Sequence, residues 1–421
     1  MAGCIEVLEK PRNKIIDYSW NFEKADTKYY THGIYKYPAM MVAPIVKRLM
    51  DEYATPGKSI ILDPFCGSGS VLVEAVLHDC ESYGIDINPL ALLLAKVKTT
   101  PIDSELLIEE YRKFVEFKNQ NTHNHEVPKF FNIDFWFKPD VIKKLSVIKK
   151  WISEIDSDDV RDFFKVVFAE TVRRTSNTKN DEFKLVRLPE KQLAMHNPDV
   201  YLTFEKIFNN NVLKMEKFFR ACSSNPKKPH ILNEDSRSKT SIPSDLIDLI
   251  ITSPPYGDSK TTVAYGQFSR LSLQWLGFDK IATSIDKISL GGEISKNNEI
   301  KLHSCFLEMV INQITEVDEK RAREVLAFYI DLDKCFKEID RVTHKGSVVC
   351  FVVGNRTVKG VSIPTDEIIS ELFSYYNFKH EKTIIRKIPN KVMPSLNSPT
   401  NVQGKLSPTM TKENIVILRK S

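Results

Sequence analysis

Apolar residues along this chain recur with two distinct periods. Short, mostly apolar runs at 59–62, 82–87, 230–232, 246–251, 347–353, 382–388 and 413–418, set off by loop-forming residues, have the pattern of strands. Longer stretches at 71–77, 140–155, 158–174, 319–342 and 366–376 repeat their apolar residues every three or four positions and predict amphipathic helices. Within 319–342, Leu326, Tyr329, Leu332, Phe336 and Ile339 share one face and are read as a core stripe. Strand, Gly-rich turn, helix and strand over 59–87 open a parallel α/β sheet. The order of elements predicts a sheet assembled from both ends of the chain, residues 1–100 and 229–421, around a helical insertion at 101–228 whose helices are joined by the polar, flexible connection 175–181.

Composition narrows the class. With 421 residues, 42% hydrophobic and 27% charged, the chain can bury a full core, and it is neither disordered nor fibrous. No apolar run is long enough to span a bilayer, and MAGCIEVLEKPRNK carries charges where a signal peptide needs its apolar stretch, so a cytoplasmic protein is expected. Seven cysteines are scattered without a C-x-x-C pair, and His123 and His125 have no cysteine nearby; neither a disulfide framework nor a metal is expected. The formal net charge of +5 does not announce nucleic acid. Residues 379–420, however, hold nine Lys or Arg against two Glu, which suits either a solvated face or an anionic partner.

Two turns carry candidate chemistry. In the first, Asp63-Pro64-Phe65-Cys66-Gly67-Ser68-Gly69-Ser70 joins a strand to a helix, where glycines let the backbone approach a ligand. Asp86 closes the next strand, 19 residues after Gly67, where a carboxylate can accept from ribose hydroxyls. The third glycine of a dinucleotide fingerprint is replaced by Leu72, so no pyrophosphate grip is present. Asp63 would repel a phosphate but suits an ammonium. A cofactor with an amino acid at one end and a nucleoside at the other, S-adenosylmethionine, satisfies both carboxylates.

The second turn, Thr252-Ser253-Pro254-Pro255-Tyr256, ends an apolar strand in a proline pair that cannot donate to a ladder. Methylation of an exocyclic amine explains it. The amine lone pair is delocalised into the ring, and acceptors aimed at its protons favour the geometry that attacks a methyl donor. The Ser253 hydroxyl and the Pro254 carbonyl, rigidly held with Pro255, are those acceptors, and Tyr256 offers a flat face to an extruded base.

These two turns, in this order, resemble the amino-methylating DNA methyltransferases, and the Ser-led second turn resembles the cytosine-N4 branch. The resemblance covers 28–98 and 229–421. It implies a Rossmann-like class I fold with a mostly parallel seven-stranded sheet, and transfer of a methyl from S-adenosylmethionine to N4 of a flipped cytosine in a specific duplex sequence. No covalent intermediate is required, so Cys66 has no catalytic role. His32 to Ala39 resembles the segment that packs on the methionine end of the cofactor, with Tyr37-Pro38-Ala39 where the family has His-Pro-Ala. Asn233-Glu234-Asp235-Ser236 resembles the strand end whose acidic residue, here Asp235, binds the adenine amine. Val352-Val353-Gly354-Asn355 and a terminal hairpin also match. The cofactor set is therefore Tyr37, Pro38, Asp63, Phe65, Gly67, Gly69, Asp86, Asp235 and Ser236. The resemblance also implies duplex DNA as partner and, as is common among such enzymes, a cognate restriction endonuclease.

Three places are candidates for contact with DNA. Arg173, Arg174, Lys179, Lys184 and Arg187 cluster around the 175–181 connection, and Lys391 and Lys405 lie in the loop before the last strand. The segment 260–317 follows the catalytic turn, and its Tyr265 and Phe268 border the target base or belong to the core. Adenine-N6 methylation, methylation of a tRNA base amine and a catalytically silent nucleic-acid-binding subunit stand as alternatives.

Overall fold

The computed structural model describes residues 13–120, 126–180, 182–258, 262–294, 302–389 and 410–421, and the backbone of 396–397 and 407–408. Eight strands form the main sheet: β1 (Lys14–Ile16), β2 (Ile60–Asp63), β3 (Glu81–Ile85), β4 (His230–Leu232), β5 (Ile247–Thr252), β6 (Thr343–Val353), β7 (Phe378–Lys387) and β8 (Lys412–Lys420), in spatial order β1-β7-β8-β6-β5-β2-β3-β4. Strand β8 runs antiparallel between β7 and β6, and every other pairing is parallel. The sheet has one strand more than the expected seven. Strand β1 is three exposed residues paired to β7, too short to show a period of its own.

Both faces of the sheet are covered, so its central strands are apolar nearly throughout. Their alternate residues go to opposite cores. Leu62, Ile250, Val349, Phe351 and Val353 join helices α9 (Cys305–Val317), α10 (Glu319–Val342) and α11 (Thr365–Tyr375) on one face. Ile61, Leu249, Ile251, Cys350 and Val352 join Trp20, α1 (Ala43–Tyr53) and α2 (Ser70–Leu77) on the other. The expected stripe of α10 lies in the first core: Tyr329, Leu332, Phe336 and Ile339 are buried, and Leu326 is partly buried.

From β2 the chain moves outward through α3 (Pro89–Thr99), and β4 joins β3 in parallel register only after the whole helical segment. That segment contains α4 (Ser104–Gln120), α5 (Pro139–Ser153), α6 (Asp158–Thr175) and α7 (Val200–Ala221). An aromatic core joins them, with Tyr111 stacked on Phe208 at 4.2 Å and Trp151 edge-on to Phe164 at 4.7 Å. The same core takes in Leu90 and Leu94 of α3 and Leu271 and Trp275 of α8 (Tyr265–Leu276). The Ser272 hydroxyl donates to the Ala169 carbonyl at 2.8 Å, pinning α8 to α6.

The connection after α6 is not a flexible loop. Thr175, Ser176, Asn177 and Thr178 are buried, and Thr178 bridges to Arg187 in antiparallel fashion. Their short side chains find partners locally: the Thr175 hydroxyl donates to the Thr171 carbonyl, Ser176 donates to the Arg173 carbonyl at 2.8 Å, and the Ser176 and Thr178 hydroxyls bond each other at 2.7 Å. A Ser/Thr/Asn run has the same composition whether water or the protein supplies those partners.

Candidate active site

Strands β3 and β5 flank β2 on opposite sides, so the chain reverses its direction of sheet growth at β2. Ligands of open α/β sheets sit at such a reversal, beyond the carboxyl ends of the strands. A crevice occupies this place. Tyr37, Pro38, Asp63, Phe65, Gly67, Asp86, Asp235, Ser236, Ser253 and Pro255 all line it, so both candidate turns open into one space.

The two turns are joined directly. Thr252, fully buried at the end of β5, donates its hydroxyl to Oδ1 of Asp63 at 2.6 Å, and the Phe65 N–H donates to the same oxygen at 3.1 Å. Oδ2 of Asp63 has no partner among the described residues. Burial pushes the Asp63 carboxyl up to about 7 against these two hydrogen bonds. Asp86 holds the Gly-rich turn, with Oδ2 accepting the Gly67 N–H at 3.0 Å and Oδ1 the Asn88 N–H at 2.8 Å. Burial raises it to about 6. Each carboxylate keeps at least one lone pair for a further donor, on Asp63 at Oδ2.

Gly67 has φ +49, a conformation that favours glycine. Gly69 does not line the crevice. It caps α2 at φ +81, and a Cβ there would come within 2.9 Å of the Ala95 Cα, so this glycine permits close approach of α2 to α3. The hydroxyl of Ser236 donates to the Pro64 carbonyl at 2.7 Å and ties the β4 end to the first turn. Asp235 is held by Arg237, whose guanidinium also reaches Asp331 at 3.0 Å and the Ile288 carbonyl at 2.7 Å. Burial opposes the Asp235 charge, but the Arg237 hydrogen bonds keep its carboxyl below the usual range.

In the second turn Pro254 is buried and is not among the residues that line the crevice, unlike Ser253 and Pro255. Tyr256 lies outside the crevice wall, its hydroxyl donating to Glu413 of β8 at 3.1 Å. Glu413 is paired with the buried Arg386 of β7, so the terminal hairpin anchors this tyrosine. Tyr265 lines the crevice with Tyr37 and Phe65 and stacks on Tyr37 with ring centroids 5.9 Å apart, while Phe268 is core. Asn88 draws this corner together, donating to the Tyr37 hydroxyl at 3.0 Å and to Ser269 at 2.8 Å. Thr252, Asn88, Arg237, Met40 and the stretch Ile285 to Leu290 were not singled out from the sequence. Only Thr252 had a visible signal, its place directly before the proline turn.

The candidate DNA cations have mixed surroundings. Arg173 lies over the Phe268 ring at 4.0 Å and donates to the Asn180 carbonyl, and Arg187 lies over Phe135 at 4.1 Å. Arg174 pairs with Glu170, and Lys179 pairs with Glu182 at 3.2 Å. Lys184 is exposed, between Phe183, which packs on Phe268, and Leu185, whose N–H donates to Gln267. Lys391 and Lys405 lie outside the described residues. Among the described residues no group of His, Cys, Asp or Glu is placed to hold a metal ion, and no helix is long and apolar enough to cross a membrane.

Comparison with known proteins adds four findings. The N6/N4 methyltransferase family model, described as DNA methylase, matches residues 5–97. The chain is 43% identical to the Type II methyltransferase M.MvaI of Kocuria varians over 98% of its own length and 96% of that protein. It is 22% identical to the Type II methyltransferase M.BsoBI of Geobacillus stearothermophilus, over 99% of this chain and 88% of that one. Among solved structures, a SAM-dependent methyltransferase from Methanosarcina mazei aligns at 10% identity with a TM-score of 0.32, covering 88% of this chain and 96% of that one.

Proposed function

The chain belongs to the N6/N4 family of DNA methyltransferases, and from that premise we propose that it methylates N4 of a cytosine flipped from duplex DNA, as the modifying half of a restriction-modification pair. One observation carries the reading: Ser253 of the Pro-Pro turn and Asp63 of the Gly-rich turn line a single crevice and are linked through Thr252. The pocket's chemistry fits S-adenosylmethionine, with Asp63 for its ammonium, Asp86 for its ribose hydroxyls, and Tyr37, Pro38 and Phe65 as apolar walls. Bound there, the cofactor supplies a methyl group on a sulfonium, an electrophile that needs no metal.

The protein's part is to orient the amine. The Ser253 Oγ and the Pro254 carbonyl accept its two hydrogens, drawing the nitrogen lone pair out of conjugation and toward the methyl. Pro255 prevents the turn from relaxing. Tyr256, anchored at its hydroxyl by Glu413, presents its ring to the extruded base, and Tyr265 closes the opposite corner. The Ser at the head of the turn favours cytosine N4 over adenine N6. Mass spectrometry of nucleosides digested from duplex DNA treated with the protein and labelled cofactor tests this: N4-methylcytosine is expected, and N6-methyladenine would overturn it. Type II relatives support the restriction-modification setting.

DNA contact is assigned to the exposed edge of the 182–188 segment beside α8, with Lys184 as its phosphate contact. Lys184→Glu should weaken duplex binding severalfold on all sequences alike and reduce the salt slope by about 1, leaving cofactor affinity unchanged. Equal duplex affinity in the variant would remove this segment from the interface.

A further inference from the structure

A lysine behind the crevice wall has no counter-ion among the described residues. Lys98, in the last turn of α3, is fully buried. Its Nζ donates to the Ser68 hydroxyl at 3.0 Å and lies 3.7 Å from the Met40 sulfur. Both Ser68 and Met40 line the crevice. Among the described residues no carboxylate pairs with Lys98. Burial lowers it to about 7, and the cationic Lys214 nearby acts in the same direction. Its other titratable neighbour, His32, is bound to Glu74 at 2.8 Å. A buried ammonium left in this state is costly unless something charged or strongly polar completes it.

We propose that Lys98, acting through the Ser68 hydroxyl, holds the carboxylate at the aminoacyl end of the bound cofactor, a role that rests on the S-adenosylmethionine reading above. A hydroxyl has one proton to give. Because Ser68 accepts from Lys98, its own O–H is directed elsewhere, and no acceptor for it exists among the described residues. The crevice is the space this side chain faces. The N-terminus of α2 begins two residues later and adds positive partial charge to the same spot. Asp63 stands on the same wall with the opposite sign. An amino-acid end carries one carboxylate and one ammonium, and the wall offers one cationic relay and one carboxylate to match. A phosphate would meet Asp63 and Asp86 as repulsive neighbours, which excludes it as the anion.

The test is a calorimetric cycle on the full chain, comparing S-adenosylmethionine with its decarboxylated analogue, which keeps the ammonium and the sulfonium. Wild type should bind the decarboxylated compound about tenfold or more weakly, the range for a charge-assisted hydrogen bond. In Lys98→Met that preference should fall to within about twofold, and in Ser68→Ala it should fall in the same direction, while both variants bind the decarboxylated compound as wild type does. Equal weakening of both ligands by Lys98→Met would reduce the lysine to a packing role and overturn the proposal. If Lys98→Met does not fold, Ser68→Ala decides by the same comparison. Failure of wild type to bind S-adenosylmethionine at all would instead overturn the cofactor reading itself.

Discussion

Ser253→Ala will lower methyl transfer to duplex DNA by about 100-fold or more, the range seen when one positioned polar group is taken from a developing charge, and leave S-adenosylmethionine affinity within about twofold of wild type. Ser253 lines the crevice, but Asp63, Asp86 and Tyr37, which would hold the cofactor, stand on other elements and lose no partner in this variant. Pro254 and Pro255 keep the backbone of the turn in place, so the change removes the Ser253 hydroxyl and its hydrogen-bond interaction with Tyr256. The loss therefore belongs in kcat rather than in cofactor KM. Single-turnover transfer of labelled methyl, with cofactor affinity measured by calorimetry, separates the two. Turnover equal to wild type would show that the amine finds its acceptor elsewhere.

The second large effect concerns Asp63 and has a definite pH signature. Asn is isosteric with Asp, and its amide oxygen can still accept from both Thr252 and the Phe65 N–H. Asp63→Asn removes the charge and replaces the unpartnered Oδ2 by an amide that donates rather than accepts. Losing a charge-assisted hydrogen bond to the cofactor ammonium should weaken S-adenosylmethionine binding by about 10- to 100-fold at pH 8. In the wild type, burial raises the carboxyl from 3.8 to about 7 when no cofactor is bound. The ammonium requires the ionised form, so affinity falls as pH drops below about 7, approaching tenfold per unit. In Asp63→Asn that dependence should flatten until Asp86, raised to about 6, begins to protonate.

Stability of the cofactor-free protein runs the other way. A folded value above the unfolded one means that the group's favourable contribution is complete below about pH 4 and is lost as pH rises through about 7. Cofactor-free Asp63→Asn should therefore melt above wild type at pH 8, with the difference vanishing toward pH 4. Wild-type affinity in Asp63→Asn at pH 8 would place the ammonium elsewhere.

Much of this molecule was legible before any fold was known, and the reasons are local. Buried parallel strands need continuous apolar runs, and β5 has one. A strand-to-helix turn that admits a ligand needs glycine at positive φ, and Gly67 and Gly69 are at +49 and +81. The 19-residue step from Gly67 to Asp86 follows from the length of one helix and one strand. Where the reading went astray, the deciding partner was distant in sequence. The segment 175–178 has the composition of a solvated loop yet is buried, and Arg173 has the charge of a phosphate ligand yet lies over Phe268, 95 residues away in numbering. Gly69 was assigned to the cofactor because it stands in the motif, whereas its neighbour is Ala95 of α3.

Taken alone, then, the chain specified seven of the eight strands of the main sheet, five of its longer helices, the places of its two turns and its kinship, because backbone period and turn stereochemistry are properties of a few adjacent residues. Tertiary structure decided which groups face one another: Thr252 against Asp63 across 189 residues, Tyr256 against Glu413 across 157, and Lys98 against Ser68. Burial and pairing set the charge state of a carboxyl or an ammonium, and both are made by the packing of remote segments.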